Sequence, residues 1–447
     1  MYKILLAFRY LLKRRITYFA VLAVALCVFI VVVVMTVMTG LVDDFKQKNH
    51  RFVGDCVVGT ESLVGFAYYE DFVKVLQKTE YVAAVSPVIK SFALIRIRGS
   101  RQDFGLEIMG IDPVVHSKTT GFGESLYKNK DNVSWTFEVA DDPNLPGCVL
   151  GDLLAQEIEN KYLGWSDLSR RAFSISCFPL TAKGALAQAG TDLVNTKTFY
   201  YTDSSSSGLP RIDGSIIYLP FEQVQMLCGM AGPTKRVSWL HVKFKQAVKL
   251  QAGCEKIRTL WQKYKKEMSD QSQAYLLETV SVQSWKQYRR ESIAPMENER
   301  TELIVMFGFV AITTVFIILV VFYMIISHKS KDIGILKSIG VSGAGILELF
   351  GGFAFLVGLL GSGIGLFIGW LFLLNINRIE NWLFEKYNFQ LWDRTIFAIG
   401  DIPNQVEISV LLIIAVSAIF VCLVGAFVPS WQAVRRKPAE TLQVSQL

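Results

Sequence analysis

Four stretches of the chain carry no Asp, Glu, Lys or Arg: Ile16–Val42, Leu303–Ser327, Leu349–Asn377 and Ile408–Val434, each 25 to 29 residues long. At about 1.5 Å rise per residue, such runs cross a hydrocarbon core of ~30 Å with room for tilt. They predict four transmembrane helices at 16–42, 303–327, 349–377 and 408–430. The first is longer than the apolar part of a secretory signal, about 7–15 residues. Met38-Thr39-Gly40-Leu41 offers no persuasive cleavage site, so the run reads as a retained anchor. Ahead of it, Ile4, Leu5, Phe8, Leu11 and Leu12 recur at helical spacing. That predicts a cytoplasmic amphipathic helix over 1–15 lying at the interface, or a plain extension of the span.

Segment 43–302 changes period repeatedly. Helix-type spacing marks Tyr68–Lys78, Leu153–Tyr162, Phe221–Leu227 and Leu250–Met268, whereas Val88–Arg98, Phe104–Ile111, Gly147–Asp152, Ser215–Pro220 and Trp239–Lys245 read as strands. Strands and helices mix without a strict βαβ rhythm, which predicts an α+β domain. Residues 113–235, with most of the turn-rich sequence and the Ser204–Gly208 tract, are expected to form an insertion subdomain. The fold class is therefore an α-helical membrane protein with four transmembrane helices and a large α+β domain inserted between the first and second.

Composition agrees: 51% of the 447 residues are hydrophobic and 19% charged, against about a quarter charged in soluble chains. The apolar content excludes disorder, and the net charge of +7 is not gathered into a nucleic-acid-binding block. Basic residues set the orientation. Lys3, Arg9, Lys13, Arg14 and Arg15 precede the first span, Lys329, Lys331 and Lys337 follow the second, and Arg435, Arg436 and Lys437 follow the fourth. Loop 378–407 is net acidic. Both termini (the tail being 431–447) and the 328–348 loop are thus expected in the cytoplasm, and 43–302 and 378–407 outside.

Chemistry is sparse. There is no G-x-x-x-x-G-K-[ST], H-E-x-x-H or G-x-S-x-G, so the chain is not expected to be an enzyme. Four histidines, at 50, 116, 241 and 328, are too dispersed in sequence to nominate a metal site. Cys56, Cys148, Cys177, Cys228 and Cys254 lack C-x-x-C spacing, and buried free thiols or a single disulfide are the readings. Gly358, Gly361, Gly365 and Gly369 line one helical face, where small residues let another helix approach. In the 328–348 loop, Ile333, Leu336 and Ile339 form a narrow apolar strip, Asp332 sits near a helix N-terminus and Gly340 can end the helix. Such a helix either docks into a groove on a partner or lies on the bilayer surface.

Lys331-Asp-Ile-Gly-Ile-Leu-Lys-Ser-Ile-Gly340 resembles the coupling helix of FtsX/MacB-type (type VII) ABC transporter permeases. The resemblance continues through Val37-Met-Thr-Gly-Leu-Val-Asp-Asp-Phe-Lys46, Gly147-Cys-Val-Leu-Gly151, Ser284-Trp285 and the tail Val428-Pro-Ser-Trp-Gln-Ala-Val-Arg-Arg-Lys-Pro-Ala-Glu-Thr-Leu442. It is strongest to the lipoprotein-releasing LolC/LolE permeases. It implies a MacB-like periplasmic core and a place in the bacterial inner membrane. It also implies a non-catalytic subunit that pairs with a second permease and takes its motion from a cytoplasmic ABC ATPase dimer, which binds the ATP and magnesium. This chain would need no cofactor of its own.

The resemblance further implies a lipoprotein substrate drawn from the outer leaflet and handed to a periplasmic carrier. Three acyl chains at about 0.8 kcal/mol per CH₂ desorb too slowly unaided. Lys331, Asp332, Ile333, Ile335, Leu336, Ile339 and Gly340 would couple to the ATPase. Met38, Met306 and Phe307 would contact lipid, or make ordinary helix contacts. Phe178, Pro179 and Leu180 would begin the carrier-recruiting hook, although the proline-bounded Met/Arg sequence of such hooks is missing. An FtsX-like transmitter that activates a cell-wall hydrolase and a MacB-like efflux permease are the alternatives.

Overall fold

The computed structural model describes residues 15–98, 103–140, 142–163, 168, 171–187, 194–328, 330–388, 402–404 and 408–435. The expected amphipathic helix over 1–15 lies, but for Arg15, outside them. The chain divides into two compact units, with boundaries near Asp44/Phe45 and Ala294/Pro295.

The membrane unit contains the greater part of helices Arg15–Val53 and Arg290–His328 together with Gly343–Tyr387 and Ile408–Arg435, each long and apolar enough to cross a membrane. Three exceed the uncharged runs considerably. Insertion into lipid demands apolar side chains, but helix formation does not, so charged turns continue past the apolar ends. The third helix shows this most clearly. Ser342 accepts from the Gly345 amide at 3.2 Å as its N-cap, so Gly343–Glu348 of the expected loop are already helical. At the far end the helix runs through Arg378 and Glu380 to Tyr387, into the segment read as loop, and stops where Asn388 turns left-handed at φ 51°.

The sheet unit holds β1 (Cys56–Gly59), β2 (Phe66–Ala67), β3 (Val82–Ile97), β4 (Asp103–Ile111), β5 (Gly147–Gly151), β6 (Ala172–Cys177), β7 (Asn195–Ser205), β8 (Ile216–Pro220), β9 (Arg236–Val237), β10 (Trp239–Phe244) and β11 (Ser281–Ser284). Nine of them form one sheet in the order β11-β1-β10-β3-β4-β8-β5-β7-β6, while β2 pairs with β9. Two buried clusters cover its faces. Val58, Ile89, Cys148, Leu150 and Ile217 belong to one, and their alternates Val57, Val88, Val149, Ile216 and Tyr218 to the other. That is the period of two expected of strands covered on both sides.

Helices Tyr69–Gln77, Phe221–Leu227 and Leu250–Glu267 supply Phe72, Leu76, Val224, Ile257 and Trp261 to the first cluster. Residues 113–235, expected as a subdomain, contribute β5 to β8 to this same sheet and residues to both clusters, so their core is continuous with that of the flanking segments. Ser204 and Ser205, read as part of a turn-rich tract, end β7. The helix read over Leu153–Tyr162 closes at Ile158 and passes into a wider turn over Glu159–Leu163.

Candidate functional site

Close helix approach shapes the membrane unit. Gly358, Gly361, Gly365 and Gly369 are all buried on one face of the third helix. A Cβ on Gly361 would lie 2.8 Å from the Val24 side chain, and one on Gly365 would lie 2.5 Å from the Ala25 carbonyl oxygen. Gly369 faces Val32 of the same first helix, whereas Gly358 faces Ile419 and Cys422 of the fourth. Gly425 plays the reciprocal part, with Val315 and Ile318 of the second helix against it. Side chains at these positions would force the helices apart.

Elsewhere the packing is less complete. A cavity of about 150 Å³ is lined by Val24, Cys27, Val28 and Val31, by Phe307, Ala311 and Thr314, and by residues 414–421 of the fourth helix. Its walls are apolar in effect. Thr314 donates to the Val310 carbonyl at 2.8 Å, and Ser417 to that of Ile414 at 2.8 Å, so their hydroxyls are satisfied within their own helices. Phe307 is 9% exposed and lines the cavity, whereas Met306, one residue away and 50% exposed, projects from another face. Met38 is half-buried and lies outside the lining. Nothing in the sequence marked Cys27 or Thr314, which become neighbours (Oγ1 to Sγ 3.4 Å) only through tertiary packing.

The 328–348 loop contains a helix over Ser330–Ser338, ended by Gly340 at φ 95°. Ile333 is buried (3% exposed), whereas Ile335 and Ile339 are 50% and 76% exposed. Of the strip read from the sequence, Ile333 faces inward and Ile339 outward, and among the described side chains Ile335 and Ile339, four residues apart, are exposed together. The Lys331, Asp332 and Leu336 side chains lie outside what is described. Lys337 donates to the carbonyls of Ala433 (3.3 Å) and Val434 (2.6 Å). The cation thus meets the negative end of the fourth helix, and desolvation holds its ammonium below the usual lysine range.

In the sheet unit, Phe178-Pro179-Leu180 opens a short hairpin. Leu180 bridges Leu186, Thr181 donates its amide to Ala185 (2.8 Å) and Ala187 to Pro179 (2.8 Å), and Gly184 turns at φ 81°. Phe178 is exposed, Pro179 buried and Leu180 half-buried. The root is held by a residue that sequence reading missed. Arg236 is buried and donates to four carbonyls: Gly229 at 2.6 Å, Leu180 at 2.7 Å, Val64 at 2.9 Å and Thr181 at 3.3 Å. Its desolvation, partly offset by Tyr275 and Cys228, holds its pKa below the normal arginine value.

Dispersal in sequence did not mean dispersal in space for two histidines. His241 of β10 lies opposite Ser86 of β3, Ser86 hydrogen-bonds His116 at 3.0 Å, and the two imidazoles are 5.7 Å apart. Both are buried, and neither His241 nitrogen makes a well-formed hydrogen bond. Desolvation drives the His116 pKa down to about 3 and that of His241 well below its ordinary value. Among the described residues, no cluster of three or more His, Cys, Asp or Glu could hold a metal ion.

Residues 304–438 match the family of FtsX-like permease C-terminal domains. The lipoprotein-releasing system transmembrane protein LolC of Neisseria meningitidis serogroup B is 20% identical over 434 residues, covering 96% of this chain and 94% of the relative. The corresponding LolE protein of Haemophilus influenzae is 19% identical over 429 residues, 95% of this chain and 93% of the relative. The crystal structure of the periplasmic region of MacB from Actinobacillus actinomycetemcomitans aligns with 54% of this chain and 95% of its own at 12% identity, with a TM-score of 0.32.

Proposed function

With an FtsX-like permease domain over residues 304–438 as premise, we propose that the chain is the permease subunit of an ABC transporter that lifts lipoproteins from the outer leaflet of a bacterial inner membrane. In this reading, both termini and the 328–348 loop are cytoplasmic and the sheet unit is periplasmic. A separate ATPase dimer pushes on the Ile335/Ile339 face, and a second permease subunit completes the assembly. The hairpin that begins with Phe178, Pro179 and Leu180 is the hook that recruits a carrier.

The observation that carries the reading is the cavity of about 150 Å³ shared by three spans. Apolar cavities of that size accept small hydrocarbons. One with its hydroxyls already satisfied suits a stretch of alkyl chain and offers nothing to a polar solute. Similarity to LolC and LolE along nearly the whole chain supports the choice of cargo.

The test places a photo-crosslinking residue at Ala311, in the cavity lining, and at Ile413, which is 69% exposed on the fourth helix. Acylated protein should be trapped from Ala311 and far less from Ile413, and depletion of the chain should leave lipoproteins in the inner membrane. Equal trapping at both positions, or unchanged lipoprotein sorting, overturns the reading. A cell-wall hydrolase captured only on residues 43–302 would place the chain among signal transmitters instead.

A further inference from the structure

The five cysteines of the sheet unit do not stay scattered. Cys56 of β1 and Cys254 of helix Leu250–Glu267 hydrogen-bond thiol to thiol, as do Cys177 and Cys228. All four are buried in one cluster. Each meeting is fixed by contacts that do not involve the sulfurs. Cys56 pairs with Ser284 of β11, and the helix bearing Cys254 is pinned to that strand by Arg258, which donates to the Val282 carbonyl at 3.2 Å. One residue before Cys254, Gly253 packs on the Phe244 ring so tightly that a Cβ would come within 2.5 Å.

The second pair is placed as firmly. Cys177 ends β6 opposite Asn195, and Asn195 donates to the Leu227 carbonyl at 3.1 Å, immediately before Cys228. Leu180 donates its amide to the Cys228 carbonyl at 3.2 Å. Cys148 is buried in the same cluster and is left without a cysteine to join, which explains the odd count.

We propose that in the mature protein Cys56 is disulfide-bonded to Cys254 and Cys177 to Cys228, while Cys148 remains a thiol. The inference rests on the periplasmic placement of the sheet unit proposed above, because stable disulfides need an oxidising compartment. In each pair two S–H bonds break and one S–S bond forms. The two protons and two electrons pass to a thiol–disulfide oxidoreductase, the oxidant class such a compartment supplies, whose own S–S bond breaks to give two thiols.

Burial in the finished fold means that oxidation happens while the domain is closing. The bonds have different structural consequences. Cys56–Cys254 staples the Leu250–Glu267 helix to β1, one strand in from the sheet edge. Cys177–Cys228 closes the root of the hairpin that begins at Phe178, beside the carbonyl of Gly229 that Arg236 holds.

The test uses the full chain in its own membranes. Free thiols are blocked with N-ethylmaleimide under denaturing, non-reducing conditions, and the digest is examined by mass spectrometry before and after reduction. Two linked peptide pairs are expected, 56 with 254 and 177 with 228. Cys27, Cys148 and Cys422 should be alkylated without reductant. A separate Glu61→Cys chain, altered in an exposed loop, reports the compartment through a membrane-impermeant maleimide on spheroplasts. Labelling at position 61 with all seven native cysteines alkylated overturns the disulfides and leaves the topology intact. Absence of labelling at position 61 overturns the topology, and the disulfides with it. Linkage in any other pairing also overturns the proposal.

Discussion

Arg236→Met offers the sharpest test of how the 178–187 hairpin is held. The substitution keeps most of the apolar stem and removes every donor of the guanidinium, whose four carbonyl partners come from three separate segments at residues 64, 180–181 and 229. Bonds from a charged donor contribute about 1.5–3 kcal/mol each, and a buried acceptor left unpaired costs about 1–3 kcal/mol. Against this stands the desolvation of the arginine itself, several kcal/mol, which the methionine escapes. With the two shortest bonds dominating, the net local loss is about 2–4 kcal/mol. At ~1.4 kcal/mol per tenfold, the hairpin should open roughly 30- to 1,000-fold more often.

Hydrogen exchange of the full chain, read on peptides covering 178–187 and 228–237, measures this directly. The amides of Thr181, Ala185 and Ala187 should lose protection while those of β1, β3 and β10 keep theirs. A change below threefold in the hairpin would refute the latch, and a uniform loss across the sheet would show that Arg236 supports the whole unit. Arg236→Lys should fall between, because one ammonium cannot reach all four oxygens.

Three further outcomes are expected. Gly365→Leu, whose Cβ would start 2.5 Å from the Ala25 carbonyl oxygen, should lower the melting temperature in detergent by an overpacking cost of about 1–3 kcal/mol; an unchanged melting point would contradict the close approach of the first and third helices. Ile335→Asp with Ile339→Asp should remove ATPase co-purification while leaving the folded chain in the membrane, and retained ATPase would move the docking face elsewhere.

Acid should destabilise the sheet unit through the buried histidines. Both pKa values are depressed in the fold, so the unfolded chain binds protons first. Stability is full above the unfolded value near 6.5 and declines as pH falls towards about 3, the His116 value, by roughly 1.4 kcal/mol per unit per histidine. Arg289 and Lys90 reinforce the effect on His241, and the Val53 backbone opposes it. Asp55, whose pKa is lowered below 3.8, adds its own loss only beneath that value. Denaturant midpoints at pH 7.5 and 5.5 measure the slope; His241→Leu should roughly halve it, and an unchanged slope would exclude the imidazole.

The spans were legible because one physical requirement, the absence of charge over the thickness of a membrane, is written directly in consecutive residues. Strands with a clear period of two, such as Phe92–Ile97, were legible for a similar reason. β7 was not. Its buried end is Asp203-Ser204-Ser205, polar residues satisfied by partners far away in sequence. Asp203 accepts from the amides of Lys128 (3.0 Å) and Asn129 (2.9 Å), and the Ser205 hydroxyl meets that of Ser125 at 2.7 Å. Polarity there signals a tertiary contact, yet in sequence it looks like a turn.

Arg236 was hidden in the same way, since no local pattern distinguishes an arginine that binds distant carbonyls from one in water. The glycine series was readable as a stripe, but which helix it would face was not. The exposed Ile335/Ile339 pair differs from the strip inferred by spacing because Ile333 is taken up by packing that spacing alone does not reveal.

The pairing of β1 bears on how the chain is made. Cys56 joins its β11 partner Ser284 across 228 residues (284 minus 56). At about 5–20 residues per second, the ribosome takes roughly 10–45 s to supply that partner. Throughout the interval the β11-side edge of β1 stays open, its other edge having β10 to pair with once residue 244 is made, and helix Arg290–His328 follows within a few residues of closure. Completion of the sheet by β11 therefore falls almost at the last moment before the second membrane crossing.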